Sequence, residues 1–283
     1  MGEYIRLKEF PGPEQQPIRT KNAVVDPKVR YRYSFDSKNF QRIPGSPLAF
    51  WASSVVSDSF RENKSLGDIS TLGQGLKTGH NKRFVRTWFE IDMTNFHLSC
   101  DSRTTSKISR KKWYPYANGG GPRKWFGYQD DVVNWQFDGM EIRRFVDEDG
   151  RLRSRLQNMA HYFKEGLTWS SISSKAFSAR YVLDGVIYGG AGYGIFTAQV
   201  DRLYLLGLLN SVVLNSFVEC LSETINFEVG ILERIPIKLA RKEEVIELVS
   251  ANVRSAQIDW DSFETSWDFQ RHPLLVHKDS TSI

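Results

Sequence analysis

The sequence predicts an α+β protein with a mixed β-sheet, packed helices and a helical C-terminal segment. Residues 66–91 and 167–198 are mostly typical of strands, whereas residues 202–222 and 242–256 repeat their hydrophobic positions at helical spacing. The two kinds of segment do not alternate strictly, which argues against a parallel α/β sheet. A chain of 283 residues, 40% hydrophobic and 25% charged, can bury a large core.

The N-terminal half begins with residues 1–45, which are rich in Pro and charge and which we interpret as an arm or linker. Ser46 as an N-cap, with Pro47 at the first helical position, predicts a helix to about residue 60. Residues 46–240 then form the predicted main domain. Its first half contains predicted strands at residues 66–76, 84–91 and 132–135 and a helix at residues 138–145.

The C-terminal half predicts a helix at residues 152–163, strands at 167–172, 176–183, 186–188, 195–198 and 227–237, and helices at 202–222 and 242–256. We interpret the glycine-rich run 189–194 as a bulge or tight hairpin. A dinucleotide loop is less favoured because no strand–turn–helix unit and no suitably placed acid accompany the run. Residues 241–283 form a helical tail with eight acids against five bases.

A basic and aromatic segment, residues 102–129, carries seven Lys and Arg, six aromatic residues and no acid around the flexible run 119–122. Cations bind phosphates and flat rings stack on bases, so the composition favours a nucleic-acid contact. A solvated basic hairpin whose aromatic residues fill a core is the alternative. The candidate DNA contacts in this segment are Lys111, Lys112, Tyr114, Arg123, Lys124 and Trp125.

A second candidate site is the turn at residues 75–83, where two glycines bracket a Lys-Thr pair. Such a turn can direct backbone N–H groups and short polar side chains at phosphates or base edges, although an ordinary β-turn is the alternative. The candidate contacts are Lys77, Thr78, Asn81, Lys82 and Arg83. Trp169 is added as an aromatic residue that faces either a groove or the core.

Catalytic and targeting signals are absent from the sequence. It has no phosphate-binding Gly-Lys-Ser/Thr loop, no nucleophile elbow and no metal-ligand cluster, and we expect no metal site. Cys100 and Cys220 are expected to be free thiols in a reducing compartment. The charged start lacks the apolar core of a signal peptide, and residues 203–221 are interrupted by polar side chains. We therefore expect a cytoplasmic protein without a membrane partner.

Seven short segments occur in one order along the chain. They are residues 43–51 (IPGSPLAFW), 74–79 (QGLKTG), 112–116 (KWYPY), 123–127 (RKWFG), 133–135 (VNW), 166–170 (GLTWS) and 259–269 (DWDSFETSWDF). Together they resemble the large adenine-specific DNA methyltransferases of BREX/Pgl phage-exclusion systems. These enzymes are relatives of type IIG restriction–modification enzymes with TaqI-like specificity domains. The resemblance covers nearly the whole chain.

The family's catalytic core has a glycine-rich S-adenosylmethionine loop and an Asn-Pro-Pro-Tyr/Phe motif, and neither occurs in this sequence. The resemblance therefore implies a target recognition region without its catalytic domain, in a phage-defence or restriction–modification system of bacteria. Whether the chain is an enzyme by itself stays open, and we expect no cofactor in it. A methyltransferase catalytic domain or subunit would bind S-adenosylmethionine and methylate the N6 amine of an extruded adenine.

The resemblance also implies that this chain grips double-stranded DNA and reads base edges in the major groove. Register is assigned to Lys111, Lys112, Arg123 and Lys124, and base-edge or turn contacts to Lys77, Thr78, Asn81 and Arg83. The alternative is a non-catalytic protein-interaction or carbohydrate-binding module, since eight Trp and eleven Tyr could form a stacking platform. A nuclease subunit would need clustered acids, but residues 130–131 and 147–149 are predicted to lie in solvated turns.

Overall fold

The computed structural model describes residues 1–171, 177–222 and 226–277. The helices are α1 (Gln15–Val25), α2 (Ser54–Glu62), α3 (Leu66–Ile69), α4 (Asn81–Phe84), α5 (Arg103–Ile108), α6 (Gln136–Arg143), α7 (Arg202–Asn210), α8 (Val212–Leu221), α9 (Val229–Leu232) and α10 (Lys242–Trp260). The strands are β1 (Gly2–Ile5), β2 (Arg32–Phe35), β3 (Thr71–Gly73), β4 (Leu76–Lys77), β5 (Val85–Thr87), β6 (Trp113–Ala117), β7 (Asp131–Asn134), β8 (Arg155–Leu156), β9 (Gly166–Ser170), β10 (Ala179–Val182), β11 (Ile187–Tyr188) and β12 (Gly192–Phe196).

Two four-stranded sheets organise the described chain. The first sheet has the order β10-β9-β12-β3 and is antiparallel throughout. The second sheet has the order β11-β6-β7-β5, and β11 runs parallel to β6. Two short ribbons, β1-β2 and β4-β8, accompany them. The mixture of packed helices and mixed sheets confirms the predicted α+β class.

Each sheet has its own hydrophobic core. The first sheet packs against α7, α8 and α10, with Leu167, Trp169 and Ile195 among its fully buried residues. The second core lies around β6, β7 and α6. Gly207 allows the close crossing of α7 and α10, because a Cβ there would lie 2.7 Å from Val249 Cγ2.

Several predicted elements are confirmed. The strand expected at residues 132–135 is β7, those expected at 186–188 and 195–198 correspond to β11 and β12, and the final helix is α10. The strands expected at 167–172 and 176–183 correspond to β9 and β10, although residues 172 and 176 lie outside the described residues. Cys100 and Cys220 are free and buried, as expected.

The long apolar helix expected at residues 202–222 is wrong, because α7 and α8 are bent by 70° at Ser211. The side chain of Asn210 explains the break. Its Nδ2 donates to Ala179 O at 3.0 Å and its Oδ1 accepts from Ala179 N at 2.9 Å, which ties the end of α7 to β10. Among the described residues no single helix is long and apolar enough to span a membrane, and α7 and α8 reach that length and hydrophobicity only when they are taken together across the bend.

Other predicted elements are wrong in type or boundary. The helix expected from Pro47 begins at Ser54, where Ser53 Oγ accepts from Val56 N at 3.3 Å as the N-cap. Residues 152–163, expected to be helical, contain β8 and a 3-10 turn. Residues 227–237 contain α9 instead of a long strand, and residues 66–76 begin with α3. Residues 84–91 form β5 only to Thr87 and then a 3-10 turn.

The glycine-rich run 189–194 leads from β11 of the second sheet into β12 of the first sheet, and its last three residues belong to β12. Because β11 and β12 lie in different sheets, they do not form the hairpin that was one interpretation. Gly75 N donates to Gly189 O at 3.0 Å, and Gly189 N donates to Ala117 O at 2.8 Å. A Cβ on Gly75 would lie 1.8 Å from Tyr188 O. The glycines therefore permit close approach of neighbouring backbone segments.

The predicted domain boundaries at residues 45 and 240 stay a prediction.

Candidate nucleic-acid interface

A basic face is built on the ribbon of β4 and β8. Lys77 lies opposite Arg155, so both side chains point to the same side of the ribbon. The guanidinium groups of Arg83 and Arg153 lie 5.3 and 5.7 Å from the ring centroid of Phe145, which brings them together as well. We call this surface the β4–β8 basic face. It consists of five exposed residues, Lys77, Lys82, Arg83, Arg153 and Arg155.

The polar residues of the 75–83 turn are bonded to each other. Thr78 is buried, and its hydroxyl donates to Asn81 Oδ1 at 2.6 Å and accepts from His80 N at 3.2 Å. The oxygen that Asn81 needs for a bidentate contact to adenine therefore already accepts one hydrogen bond, although it has a second lone pair. Thr78 supports the turn from within, and the amide donors of Asn81 are the groups with no bond inside this turn.

Arg83 is held by a carboxylate. Its Nε and Nη2 donate to Glu141 Oε1 at 3.0 and 2.6 Å, and Asn134 Nδ2 donates to Glu141 Oε2 at 2.8 Å. A bidentate contact of Arg83 to guanine requires release of this ion pair, whereas a phosphate contact at the rim does not. Arg83 thus fits phosphate positioning better than base reading.

A cavity of about 520 Å³ opens beside the β4–β8 basic face. It is lined by Arg83, Asn134, Gln136, Phe137, Met140, Glu141, Arg144, Phe145 and Val146. On its other side Gln136 Nε2 donates to Arg110 O at 3.0 Å, which places the first part of the basic aromatic segment near the same cavity. Lys112 is exposed beside it with its Nζ 5.3 Å from the Trp113 ring centroid, and Lys111 Nζ donates to Thr94 O.

The backbone at the cavity wall is left-handed for three residues. Phe137, Asp138 and Gly139 have φ of 52°, 56° and 74°, a run that costs free energy at non-glycine positions. The helix expected at residues 138–145 is therefore only the later part of α6. Hydrogen bonds from two arginines to one carboxylate, and to the backbone carbonyl of the same residue, hold this turn.

That carboxylate belongs to Asp138, which is almost completely buried. Arg103 donates to it through Nε at 3.1 Å and Nη2 at 2.6 Å, and Arg143 Nη2 donates at 2.9 Å. Arg143 Nε also donates to the Asp138 carbonyl at 2.6 Å. The hydrogen bonds from Arg103 to Asp138 raise the pKa of Arg103. The clamp fixes the direction in which Phe137 projects.

Two of the predicted DNA contacts lie elsewhere and hold the fold together. Arg123 Nη2 donates to Asp259 Oδ2 and to Ala256 O, and its guanidinium lies 5.4 Å from the Trp260 ring centroid. Lys124 Nζ donates to Asn210 O at 2.7 Å at the end of α7. Both cations are committed to α7 and α10, which contradicts their assignment to DNA register.

The glycine run 119–121 is pinned by Arg180, a fully buried arginine on β10. Its Nη1 donates to Gly121 O and Arg123 O, both at 3.2 Å, and its Nη2 donates to Ser170 Oγ at 3.1 Å. Burial lowers the pKa of the Arg180 guanidinium to about 10, so it stays charged at neutral pH. The flexible hinge expected here is therefore a fixed loop.

Most of the candidate aromatic residues lie in the core. Tyr114 and Trp169 are fully buried, and Trp169 Nε1 donates to Phe227 O at 2.8 Å. Trp125 pairs through its backbone with β10, where its N donates to Ala179 O and its O accepts from Tyr181 N. Tyr114 and Trp169 are thus corrected to core residues. They are unavailable to DNA and to the sugar platform of the alternative interpretation.

The expected acidic turn at residues 130–131 is also corrected. Asp131 begins β7 and accepts from Asn118 Nδ2 at 3.1 Å, and burial raises the pKa of both Asp130 and Asp131. Within residues 1–171, 177–222 and 226–277, no group of three or more His, Cys, Asp or Glu residues is placed to hold a metal ion.

The residues that sequence reasoning missed are Arg153, Arg155 and Asp138. A signal for the first two was present, because Arg151, Arg153 and Arg155 recur at every second residue, the spacing of one strand face. Asp138 carried no comparable signal. Its partners, Arg103 and Arg143, reach it from different elements.

Comparison with known proteins gives two relatives and no matching family model. The adenine-specific methyltransferase PglX of Lacticaseibacillus casei (strain Zhang) is 36% identical over 281 residues, which are 98% of this chain and 23% of the relative. The adenine-specific methyltransferase BrxX of Escherichia coli O9:H4 (strain HS) is 32% identical over 244 residues, 85% of this chain and 19% of the relative. The chain thus spans about a fifth of the length of these relatives.

Proposed function

Because this chain matches part of the BREX/Pgl-type adenine-specific methyltransferases over nearly its whole length, as its sequence segments predicted, we propose that it is their DNA-binding target recognition region. In this proposal it positions duplex DNA for site-specific methylation of adenine at N6 in a phage-defence system. A methyltransferase catalytic domain or subunit is the proposed partner and binds S-adenosylmethionine. In this proposal the catalytic groups belong to that partner.

The observation that carries the proposal is the β4–β8 basic face. Four exposed cations from β4, α4, β8 and the residues before β8 come together, although they are up to 78 positions apart in sequence, from Lys77 to Arg155, and the exposed Lys82 adjoins Arg83 on α4. Exposed Lys and Arg gain affinity for a duplex by releasing its condensed counterions. Lys112 and Arg110, on the far side of the cavity, extend the positive surface.

Division of labour within the surface follows from the bonds described above. Lys77, Lys82, Arg153 and Arg155 are proposed to contact phosphates and to set register. Asn81 presents its amide donors to base edges, and Arg83 contacts phosphate while paired with Glu141. Phosphate contacts fix position without reading sequence, so specificity has to come from the edges of this face.

Salt dependence of duplex binding tests the proposal. Five phosphate contacts predict that the logarithm of the binding constant falls with the logarithm of salt concentration with a slope of about −4 to −5. Fluorescence anisotropy on a labelled duplex pool of mixed sequence, from about 50 to about 200 mM salt, measures it. The affinity should fall by a factor of about 10²–10³ across that range. Absence of binding at the low-salt end contradicts the proposal for the isolated chain.

A further inference from the structure

We propose that the cavity beside the β4–β8 basic face accepts an unstacked nucleobase of the bound duplex, and that the Phe137 ring stacks on it. This inference rests on the proposed function and deepens it. It assigns a ligand, a single flat nucleobase, to this cavity.

The size and chemistry of the cavity fit such an occupant. Its volume of about 520 Å³ lies within the range of roughly 300–1,000 Å³ that is usual for small-molecule sites. Phe137, Met140 and Phe145 supply apolar and aromatic walls, while Gln136 and Glu141 supply hydrogen-bonding groups. Aromatic walls with a small number of polar groups are what a base needs for stacking and edge contacts.

Exposure and backbone geometry single out Phe137. Phe137 is 43% exposed and Met140 is 42% exposed, although both residues are large and apolar. Phe137 stands at φ 52°, a conformation that a bulky residue rarely adopts. The Asp138 clamp, with Arg103 and Arg143, holds it there. An aromatic side chain fixed in a strained conformation at the surface, instead of packed into the core, indicates a ligand contact.

The surrounding charge directs DNA to this ring. Arg83 and Arg144 line the same cavity, and Arg83 belongs to the β4–β8 basic face. A duplex whose phosphates lie on that face brings a base step to the cavity mouth. Stacking on the ring then offsets the loss of stacking within the duplex. The cost of removing a base from the duplex is smallest where that base is already unpaired.

Three duplexes with the same mixed flanks test this inference. One is fully paired, one carries a single extrahelical nucleotide, and one carries an extrahelical abasic site at the same position. We expect the parent chain to bind the duplex with the extrahelical base about fivefold to a hundredfold more tightly than the other two. The abasic duplex separates stacking on a base from simple flexibility of the DNA.

Two variants of Phe137 complete the design. Phe137→Asn removes the ring but keeps a residue that tolerates a left-handed backbone, and Phe137→Tyr keeps the ring. The Asn variant should lose the preference for the extrahelical base with an unchanged salt slope, and the Tyr variant should keep the preference. The inference is overturned if the parent shows no preference, or if the Asn variant keeps it.

The outcomes separate the two proposals. Salt-sensitive binding of all three duplexes with equal affinity leaves the proposed function standing and overturns the stacking site alone. No salt-sensitive binding to any duplex overturns both. Phe263→Asn, which removes an exposed aromatic ring from the C-terminal segment at 52% exposure, is the matched control and should bind as the parent does.

Discussion

Replacing Asp138 by Ala should lower the free energy of unfolding by about 3 kcal/mol. The substitution leaves the guanidinium groups of Arg103 and Arg143 without the carboxylate that both of them bind. Their side chains are 37% and 34% exposed, so water recovers part of the loss and the effect lies at the low end of what breaking a buried pair costs. Ala also tolerates a φ of 56° less well than Asp.

Urea unfolding of the parent and two variants measures this effect. Asp138→Asn keeps the left-handed preference and one acceptor oxygen, so its free energy of unfolding should lie between those of the parent and the Ala variant. Equal stability of all three proteins contradicts the clamp. If the Phe137 site also exists, both substitutions reduce the preference for an extrahelical base, because the ring is no longer held in place.

Replacing Arg180 by Met should destabilise the fold by about 3 kcal/mol and loosen the loop at residues 119–128. Met fills a similar volume but removes the guanidinium donors to the carbonyls of Gly121 and Arg123 and to the hydroxyl of Ser170, and Gly121 O keeps only its bond from Arg123 N. The loop carries Arg123, whose bonds hold α10. The substitution should therefore also weaken the bonds between Arg123 and α10.

Amide hydrogen exchange of residues 119–128 is the decisive measurement for Arg180, alongside urea unfolding. In Arg180→Met, exchange of residues 119–128 should accelerate more than exchange of residues 131–134 of the second sheet. Arg180→Lys keeps the charge without the planar fork and should give a smaller change. Identical exchange in the parent and the Met variant contradicts the role of Arg180 as the anchor of the loop.

Sequence reasoning was most successful where the signal is local. The turn at residues 75–83 was predicted from its glycines and its polar side chains, and the structure places Lys77, Lys82 and Arg83 at an exposed surface. The short strand β7 was predicted within one residue of its bounds, and the helix α10 was predicted from its amphipathic pattern. Arg153 and Arg155 were missed because residues 152–163 were predicted to form a helix, in which alternate residues do not share a face.

Other parts of the site depend on partners that are distant in sequence. Arg123 looks like a DNA contact among its neighbours, but its carboxylate partner, Asp259, comes from α10. Arg180 was predicted as an ordinary strand residue, whereas burial beneath the 119–123 loop gives it four acceptors. Charge density in a segment indicates an affinity for anions, but only the fold determines which cations are already used internally.

The measurement that tests the central claim most directly compares the salt slopes of two variants with equal charge changes. The first replaces Lys77, Lys82, Arg153 and Arg155 by Gln on the β4–β8 basic face. The second replaces Lys21, Lys28, Arg30 and Lys38 by Gln, four exposed cations of the N-terminal segment. Both lose four positive charges, and none of the eight residues is buried.

We predict that the first variant loses about 3 to 4 units of the salt slope for duplex binding, since each phosphate contact contributes about 0.9. The second variant should keep the slope of the parent and change only slightly in affinity. Unfolding curves establish that both variants are folded. A slope unchanged in the first variant, or reduced equally in both, contradicts the assignment of this face to DNA.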